Sequence, residues 1–248
     1  MFDNKPILLN TRPEPQNTAL SHFLMKQLNC EVISFPTIEM SYFSHVKIQQ
    51  QLPDKRIDYF IFTSVNAVEA SASVLSQFHD THLAIAIGHN TKITLVQQGW
   101  KNTLMPENAS SEGILNLPIL KTVKKKSIVI VSGSNPRGLI QSALIAKEAQ
   151  ITTLICYERH IAQKSMDNPL TQEQLAKVAI VIVSSVECFD YLKHILNNHL
   201  NVYSEKSRWL VFSERIKKVL AKDVSIDKIY VCEPNATAVL KACERLLR

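Results

Sequence analysis

Short runs of apolar, often β-branched residues recur along the chain, and stretches with apolar residues at helical spacing follow them. The runs are almost wholly apolar instead of alternating with polar residues, which is typical of parallel strands that helices cover on both faces. Leu20, Leu24 and Leu28 illustrate the helical spacing that gives a helix one apolar face. The pattern therefore predicts an α/β fold built of βαβ units. The predicted strands are residues 7–10, 59–62, 83–87, 128–131, 152–156, 180–183, 209–212 and 229–232.

The first half of the chain aligns with the second half at an offset of about 120 residues. Residues 31–39 align with residues 150–158, and the strand before Ser64 aligns with the strand before Ser185. Each half ends in a strand, a Pro with a nearby Asn, and a short helix. A duplicated unit of this kind predicts two similar parallel-sheet domains.

Composition supports a packed globular protein. Of the 248 residues, 46% are apolar and 20% are charged, with only 5 Gly and 10 Pro, which excludes disordered and fibrous classes. The formal net charge of +6 favours anionic partners over cationic ones. The densest basic run, residues 124–126, precedes an apolar strand and is typical of a solvated linker. Because no aromatic residues are interleaved with basic ones, we expect no nucleic-acid partner.

Several further classes of protein do not fit the sequence. No apolar run approaches the roughly 18 residues of a membrane span, and the first residues lack a signal-peptide layout, so we expect a cytoplasmic protein without membrane contact. The five scattered cysteines are typical of core residues in a reducing compartment. His79 and His82 lack a third ligand, so we expect no metal site. Nucleotide-binding glycine motifs are absent. No apolar surface stripe suggests an interface, so we expect a monomer.

A small polar cluster follows nearly every predicted strand. Such residues cap helix N-termini, and capping alone is one interpretation of them. In an open parallel sheet, however, these turns lie at the carboxyl edge of the strands, where ligands usually bind. A helix N-terminus there favours a carboxylate or phosphate by roughly 0.3–1 kcal/mol, so a binding role is the other interpretation. The clusters are residues 11–13, 63–64, 88–91, 132–134, 184–185 and 235–237.

Seven short motifs follow one another along nearly the whole chain, at residues 7–13, 35–39, 58–68, 87–91, 106–114, 132–138 and 156–159. The third contains Phe-Thr-Ser and Asn-Ala-Val, and the last reads Cys-Tyr-Glu-Arg. In this order and spacing, the sequence resembles the uroporphyrinogen-III synthase family. One departure is Ser213-Glu214-Arg215-Ile216, which replaces a Gly-Pro-x-Thr turn of many members. No role for a Thr is carried over there, and Arg215 becomes a candidate for binding a carboxylate.

The resemblance implies two similar parallel-sheet, flavodoxin-like domains joined by a two-segment linker, with an active-site cleft between them. Residues 1–36 and 160–248 would form a discontinuous first α/β domain, and residues 41–156 would form the inserted second domain. The linkers would lie near residues 36–40 and 157–160. The strand at residues 7–10 would then join the sheet formed mainly by the second half.

The reaction that the resemblance implies is closure of linear hydroxymethylbilane with loss of water and inversion of ring D, through a spiro intermediate. This hydro-lyase step of tetrapyrrole (haem) biosynthesis would need no metal or organic cofactor. The implied partners are hydroxymethylbilane and, transiently, hydroxymethylbilane synthase. The alternative is a non-catalytic two-lobed binding protein for an anionic metabolite. A flavodoxin-like redox carrier is disfavoured because no flavin-binding loop can be identified.

The resemblance also suggests site residues. Tyr157 is the catalytic candidate, because its phenol could donate a proton to a departing hydroxyl group, and local packing of a linker is the alternative role. Arg12 and Arg137 occupy equivalent places in the two repeats, and their guanidinium groups suit carboxylates or surface salt bridges. The other candidates for substrate binding are Thr63, Ser64, Asn66, Thr91, Ser110, Ser184, Ser185, Arg215 and Thr237.

Overall fold

Two β-sheets with flanking helices make up the computed structural model, which describes residues 5–136, 138–196 and 206–248. The chain divides into two compact units. The first consists of Met1–Glu39 and His160–Arg248, and the second consists of Met40–Arg159. Every strand pairing for which a register is defined is parallel. The α/β prediction with parallel sheets is therefore confirmed.

The first unit contains a five-stranded sheet. Its strands, numbered along the chain, are β1 Ile7–Asn10, β2 Glu31–Ser34, β9 Val178–Val183, β10 Arg208–Val211 and β11 Ile229–Val231. They lie in the order β11-β10-β9-β1-β2, so the first strand of the chain joins a sheet formed mainly by the second half. The helices are α1 Gln16–Gln27, α7 Gln163–Asp167, α8 Gln172–Lys177, α9 Val186–Ile195, α10 Glu214–Leu220 and α11 Ala236–Leu246, with a 3-10 turn at Ile226–Lys228.

The second unit contains a six-stranded sheet. Its strands are β3 Ile38–Tyr42, β4 Tyr59–Phe62, β5 Leu83–Ala86, β6 Asn102–Leu104, β7 Ser127–Gly133 and β8 Gln150–Ile161. They lie in the order β3-β8-β7-β4-β5-β6. The helices are α2 His45–Gln49, α3 Val65–Leu75, α4 His89–Gln97, α5 Ser111–Leu115 and α6 Leu139–Ala146, with 3-10 turns at Ser76–Phe78 and Pro118–Leu120.

Each sheet is buried on both faces, which explains the continuous apolar runs. In β1, Ile7 packs into one hydrophobic cluster and Leu8 into another, because successive side chains of a strand point to opposite faces. In β4, Phe60 and Ile61 divide in the same way. All five cysteines are free thiols, and three of them are fully buried in these clusters. Among the residues that the structure describes, no helix combines the length and apolar character that a membrane span requires.

The residues expected to form linkers, 36–40 and 157–160, are largely strand. The chain passes from the first unit to the second within β3 and returns within β8, and these strands are neighbours in the six-stranded sheet. Phe43 donates its backbone N–H to the Cys156 carbonyl at 2.9 Å. The two extended segments that pass between the units satisfy the hydrogen-bonding requirement of their backbone N–H and C=O groups by such pairing. The polar and apolar residues in them are too mixed to reveal strands in advance.

An irregularity between β7 and β8 seats the ring of Tyr157. The register shifts between Ser132 and Gly133, so that Gly133 lies opposite Tyr157. A Cβ atom at Gly133 would lie 2.5 Å from Cε2 and 2.6 Å from Cζ of Tyr157. Real Cβ atoms do not approach a ring this closely, and the ring is only 1% exposed. The Tyr157 ring can therefore occupy this position only because residue 133 is a glycine.

We predict that Gly133→Ala lowers the free energy of unfolding by about 1–3 kcal/mol, the usual cost of overpacking a core. In a Tyr157→Leu background the colliding Cε2 and Cζ atoms are gone, so the same substitution should cost clearly less. Urea unfolding of the four proteins in this double-mutant cycle measures the coupling. An equal cost in both backgrounds would show that the ring does not depend on Gly133.

Candidate active site

Tyr157 lies in β8 of the second unit with its phenol oxygen between two polar side chains. The oxygen is 3.1 Å from Ser64 Oγ, and it accepts a hydrogen bond from Arg159 Nη2, also at 3.1 Å. The Arg159 guanidinium carbon is 5.6 Å from the centroid of the Tyr157 ring. The tyrosine hydroxyl is thus held in place by the start of α3 on one side and by its own strand on the other.

Of the polar residues after β4, Ser64 both caps a helix and contacts the Tyr157 phenol. Ser64 is the N-cap of α3, and its Oγ accepts the Ala67 N–H at 3.1 Å while also contacting the Tyr157 phenol. Thr63 directs both its N–H and its hydroxyl to the Val131 carbonyl, at 3.1 and 3.2 Å. Asn66, in the first turn of α3, donates to Met40 Sδ at 3.0 Å. Ser64 therefore caps α3 and contacts the Tyr157 phenol at the same time.

A pocket of about 420 Å³ opens at the carboxyl edge of this sheet. Three predicted residues, Thr63, Ser110 and Tyr157, line it. Among its described lining residues Arg159 carries the formal charge, and no Asp or Glu is present. A wall of hydroxyl, amide and guanidinium groups favours an anionic ligand, because most of these groups can donate hydrogen bonds. The other polar lining residues are Ser111, Ser132, Ser134, Asn135, Gln141 and Thr153.

Two features of the pocket leave hydrogen-bonding capacity for a ligand. Helix α6 begins after Gly138, which lines the pocket, has a φ of 70° and provides no side chain to cap the helix. The first N–H groups of α6 therefore lack a side-chain acceptor. In addition, the Thr153 hydroxyl oxygen is buried and has no hydrogen-bond partner. Ser110 differs, because its Oγ accepts the Gly113 N–H at 3.0 Å as the N-cap of α5.

Two of the polar clusters do not open helices as expected. Helix α1 begins at Gln16, and the Thr11 hydroxyl instead donates to the Ile182 carbonyl at 2.7 Å. Strand β7 continues through Gly133, and the buried Ser132 hydroxyl donates to the Gly133 carbonyl at 3.0 Å. The Thr11 and Ser132 hydroxyls therefore bond to strand carbonyls and do not cap helices.

Arg12 lies at the carboxyl edge of the first unit, in the loop after β1. Its guanidinium carbon is 5.2 Å from the centroid of the Phe212 ring. Its Nε atom is buried without a hydrogen-bond partner. Burial is the main cause that lowers the pKa of Arg12, while the nearby Cys188 and Cys232 thiols act in the opposite direction. An anion bound here would satisfy the unpaired donor.

A buried amide network holds the loop of Arg12 in place, and the sequence reasoning missed it. Asn17 donates to the carbonyls of Asn10 and Arg12 at 2.7 and 2.8 Å. Asn10 donates in return to the Asn17 carbonyl at 3.0 Å and to Ser21 Oγ at 2.9 Å. The side chains of Asn10, Asn17 and Ser21 are at most 2% exposed. The sequence contained a signal for this network: Asn10 ends an apolar strand, and Asn17 and Ser21 lie on the buried face of the following helix.

The remaining predicted residues of the first unit lie at helix N-termini. Ser185 caps α9 by accepting the Cys188 N–H at 3.0 Å, and Ser184 Oγ lies 3.3 Å from Cys188 Sγ. Arg215 lies in the first turn of α10, and Thr237 lies in the first turn of α11. Their helices are capped by Ser213 and Asn235, respectively.

The structure thus brings Tyr157, Ser64, Thr63 and Ser110 together in the second unit. Thr91, which is buried in the first turn of α4, does not line the pocket. The candidate Arg137 lies outside the residues that the structure describes.

Arg159 is the main functional candidate that the sequence reasoning missed. It stands two residues after Tyr157 in the same strand, so both side chains point to one face of the sheet. That spacing is visible in the sequence. It indicates a shared face only in a strand, however, and the mixed pattern of this segment predicts a linker.

Comparisons with known proteins confirm the resemblance to this family. The profile of the family described as uroporphyrinogen-III synthase HemD matches residues 22–233. Uroporphyrinogen-III synthase of Escherichia coli K12 is 28% identical over 249 aligned residues, which cover 96% of this chain and 99% of that protein.

Solved structures of two bacterial proteins show the same fold. A mutant uroporphyrinogen III synthase from the extremely thermophilic bacterium Thermus thermophilus matches with a TM-score of 0.71 at 13% identity, covering 98% of both chains. The Helicobacter pylori 26695 protein, uroporphyrinogen-III synthetase, matches with a TM-score of 0.62 at 15% identity, covering 98% of this chain and 100% of that chain. Since the family profile spans most of its length, the chain belongs to the uroporphyrinogen-III synthase family.

Proposed function

We propose that this protein is a uroporphyrinogen-III synthase, a hydro-lyase that closes hydroxymethylbilane with loss of water and inversion of ring D. Its family, cyclising lyases of tetrapyrrole (haem) biosynthesis, supports this function over a non-catalytic binding protein. The structural observation that carries the proposal is the Tyr157 phenol, held by Ser64 and Arg159 at the wall of a pocket rich in hydrogen-bond donors.

The substrate is a polyanion with eight carboxylates, and the pocket of the second unit suits such groups. The pocket wall offers hydroxyl and amide groups, and its described residues include no carboxylate that would repel the ligand. The uncapped N-terminus of α6 adds roughly 0.3–1 kcal/mol toward each carboxylate that it meets. In the first unit, described by itself, the buried Nε of Arg12 lacks an acceptor, and a carboxylate would satisfy it. The other candidates for binding the substrate are Arg137, Asn66, Thr91, Ser184, Ser185, Arg215 and Thr237.

In the proposed reaction, Tyr157 acts as general acid. Its phenol proton joins the oxygen of the terminal hydroxymethyl group, and that oxygen leaves as water with the electrons of the carbon–oxygen bond. The pyrrole nitrogen next to the reacting carbon stabilises the cation that remains. Since every step is a proton transfer or a carbon–carbon rearrangement without net oxidation, no metal or organic cofactor is required.

Positioning accounts for most of the selectivity in this proposal. Hydroxymethylbilane closes to the type I ring without an enzyme, so the protein must hold the chain in the conformation that leads to the spiro intermediate. Carboxylates bound at fixed points of the pocket restrict that conformation. We further propose a cytoplasmic monomer, with free thiols that suit a reducing compartment, which receives its unstable substrate in transient contact with hydroxymethylbilane synthase.

Incubating the purified protein with freshly prepared hydroxymethylbilane tests the function directly. We expect the type III isomer to predominate after oxidation and chromatographic separation of the products, because the enzyme intercepts the chain before it closes unaided. Buffer without protein serves as the control and should give the type I isomer. The same type I product in the presence of the protein would contradict the proposed function and favour a binding protein.

Replacing Tyr157 by Phe tests the general acid. The variant keeps the ring packing and loses the hydroxyl, so we predict a decrease in kcat for type III formation of up to roughly 10²–10⁴-fold, with product binding and urea unfolding nearly unchanged. Tyr59→Phe, at the amino end of β4, is the matched control and should keep its rate. An undiminished rate in Tyr157→Phe would remove the phenol from the chemistry and leave positioning as the whole mechanism.

A further inference from the structure

The two neighbours of the Tyr157 phenol oxygen differ in what they can do. A guanidinium group only donates hydrogen bonds, so the phenol oxygen must accept from Arg159 Nη2 at 3.1 Å. Ser64 Oγ, also at 3.1 Å, can donate or accept. Arg159 therefore fills one lone pair of the phenol oxygen in every arrangement of the hydroxyl hydrogens.

Because Arg159 donates to one side of the phenol oxygen, the phenol hydrogen can point only toward Ser64 or into the pocket, and Ser64 decides between these two directions. Its Oγ already accepts the Ala67 N–H as the cap of α3, and its own hydrogen can turn toward the phenol. When Ser64 donates, both lone pairs of the phenol oxygen are occupied and the phenol hydrogen is left to point into the pocket. In the other arrangement, the phenol donates its hydrogen to Ser64 Oγ. The two arrangements interconvert by rotation of the two hydroxyl hydrogens, without movement of any heavy atom.

The ring has little freedom to leave this arrangement. It is 1% exposed, and the backbone at Gly133 leaves no space for even a Cβ atom beside Cε2 and Cζ. Arg159 approaches from the same strand, two residues along, so strand geometry fixes the separation of the two side chains. The contact between guanidinium and phenol is thus built into β8 and does not require a ligand to form.

We propose that Arg159 is a positioning residue for the reaction: it orients the Tyr157 phenol as a proton donor and stabilises the phenolate that proton transfer leaves behind. This inference rests on the proposed function. When the phenol O–H bond breaks, its proton goes to the departing hydroxyl oxygen and the electron pair stays on the phenol oxygen, beside the Arg159 cation. Formation of the new carbon–carbon bond releases one proton from a pyrrole N–H, and the phenolate takes up one proton, which restores Tyr157.

A double-mutant cycle tests this role. Because hydrogen bonds to charged groups are the stronger ones, we expect Arg159→Gln to lower kcat for type III formation roughly 10–10²-fold, with little change in KM. In the Tyr157→Phe background, Arg159→Gln should have no further effect, since the oxygen on which it acts is absent. Arg159→Lys keeps a charged donor and should recover most of the lost kcat. Arg56→Gln removes an equal charge from an exposed position ahead of β4 and should leave kcat unchanged.

Several results would overturn the proposal. An equal loss of kcat in both backgrounds would show that Arg159 acts independently of the phenol. A rise in KM alone would assign Arg159 to substrate binding, and an unchanged kcat would leave it without a role in the reaction. If urea unfolding shows that Arg159→Gln does not fold, Arg159→Met, which also removes the charged donor, replaces it in the cycle: a decrease in kcat confined to the Tyr157 background supports the role, and any other pattern contradicts it.

A second measurement, by NMR, detects the contact between Arg159 and Tyr157 in the absence of turnover. We expect the ¹³Cζ resonance of Tyr157 to shift in Arg159→Gln and not in Arg56→Gln, because the cation contacts the phenol oxygen in the free protein. An unchanged resonance in Arg159→Gln contradicts the proposal. If the wild-type protein forms no type III isomer, the proposed function fails and the positioning role fails with it. With an active wild type, a failure of the cycle contradicts the positioning role alone.

Discussion

Burial of parallel strands on both faces is the constraint from which the rest of this structure follows. Strands such as β4 and β7 can present polar groups only at their ends, and parallel pairing brings those ends to one edge. Thr63 shows the result, because its N–H and hydroxyl both bond to the Val131 carbonyl of the neighbouring strand. The pocket of the second unit forms where these strand ends, the start of α6 and the phenol of Tyr157 meet.

Periodicity predicted the strands well because their burial is nearly complete. The bounds of β1 and β4 agree with the structure, and Ser64 and Ser185 cap helices as their positions suggested. Strands and register shifts that depend on neighbouring strands in the folded protein could not be predicted from the sequence. The crossing segments form strands because β3 and β8 lie side by side, and the shifted register at Gly133 arises from the partner strand. Arg159 was missed because the mixed polar and apolar pattern around it indicates a linker.

At this edge, groups that stabilise the fold also contact the Tyr157 side chain. Ser64 satisfies a free backbone N–H of α3 and contacts the phenol with the same oxygen atom. Gly133 relieves crowding in the core and thereby fixes the place of the ring. Arg12, in contrast, keeps a buried donor without a partner, an arrangement that costs stability unless a ligand satisfies it. The fold thus holds the hydroxyl group of Tyr157 in place and leaves the Arg12 Nε donor without an acceptor.

Under the proposed function, the carboxyl edge of the second unit binds the carboxylates of the tetrapyrrole. At 28.0 kDa, the protein is suited to backbone amide mapping of a ¹⁵N-labelled sample titrated anaerobically with uroporphyrinogen III. We expect the largest amide shifts at residues 110–111, 132–135 and 138–140, with little change near Arg56 and His82 at the opposite edge. Saturable shifts that centre on Arg56 and His82, and leave residues 132–135 unchanged, would show that the tetrapyrrole does not bind at the carboxyl edge.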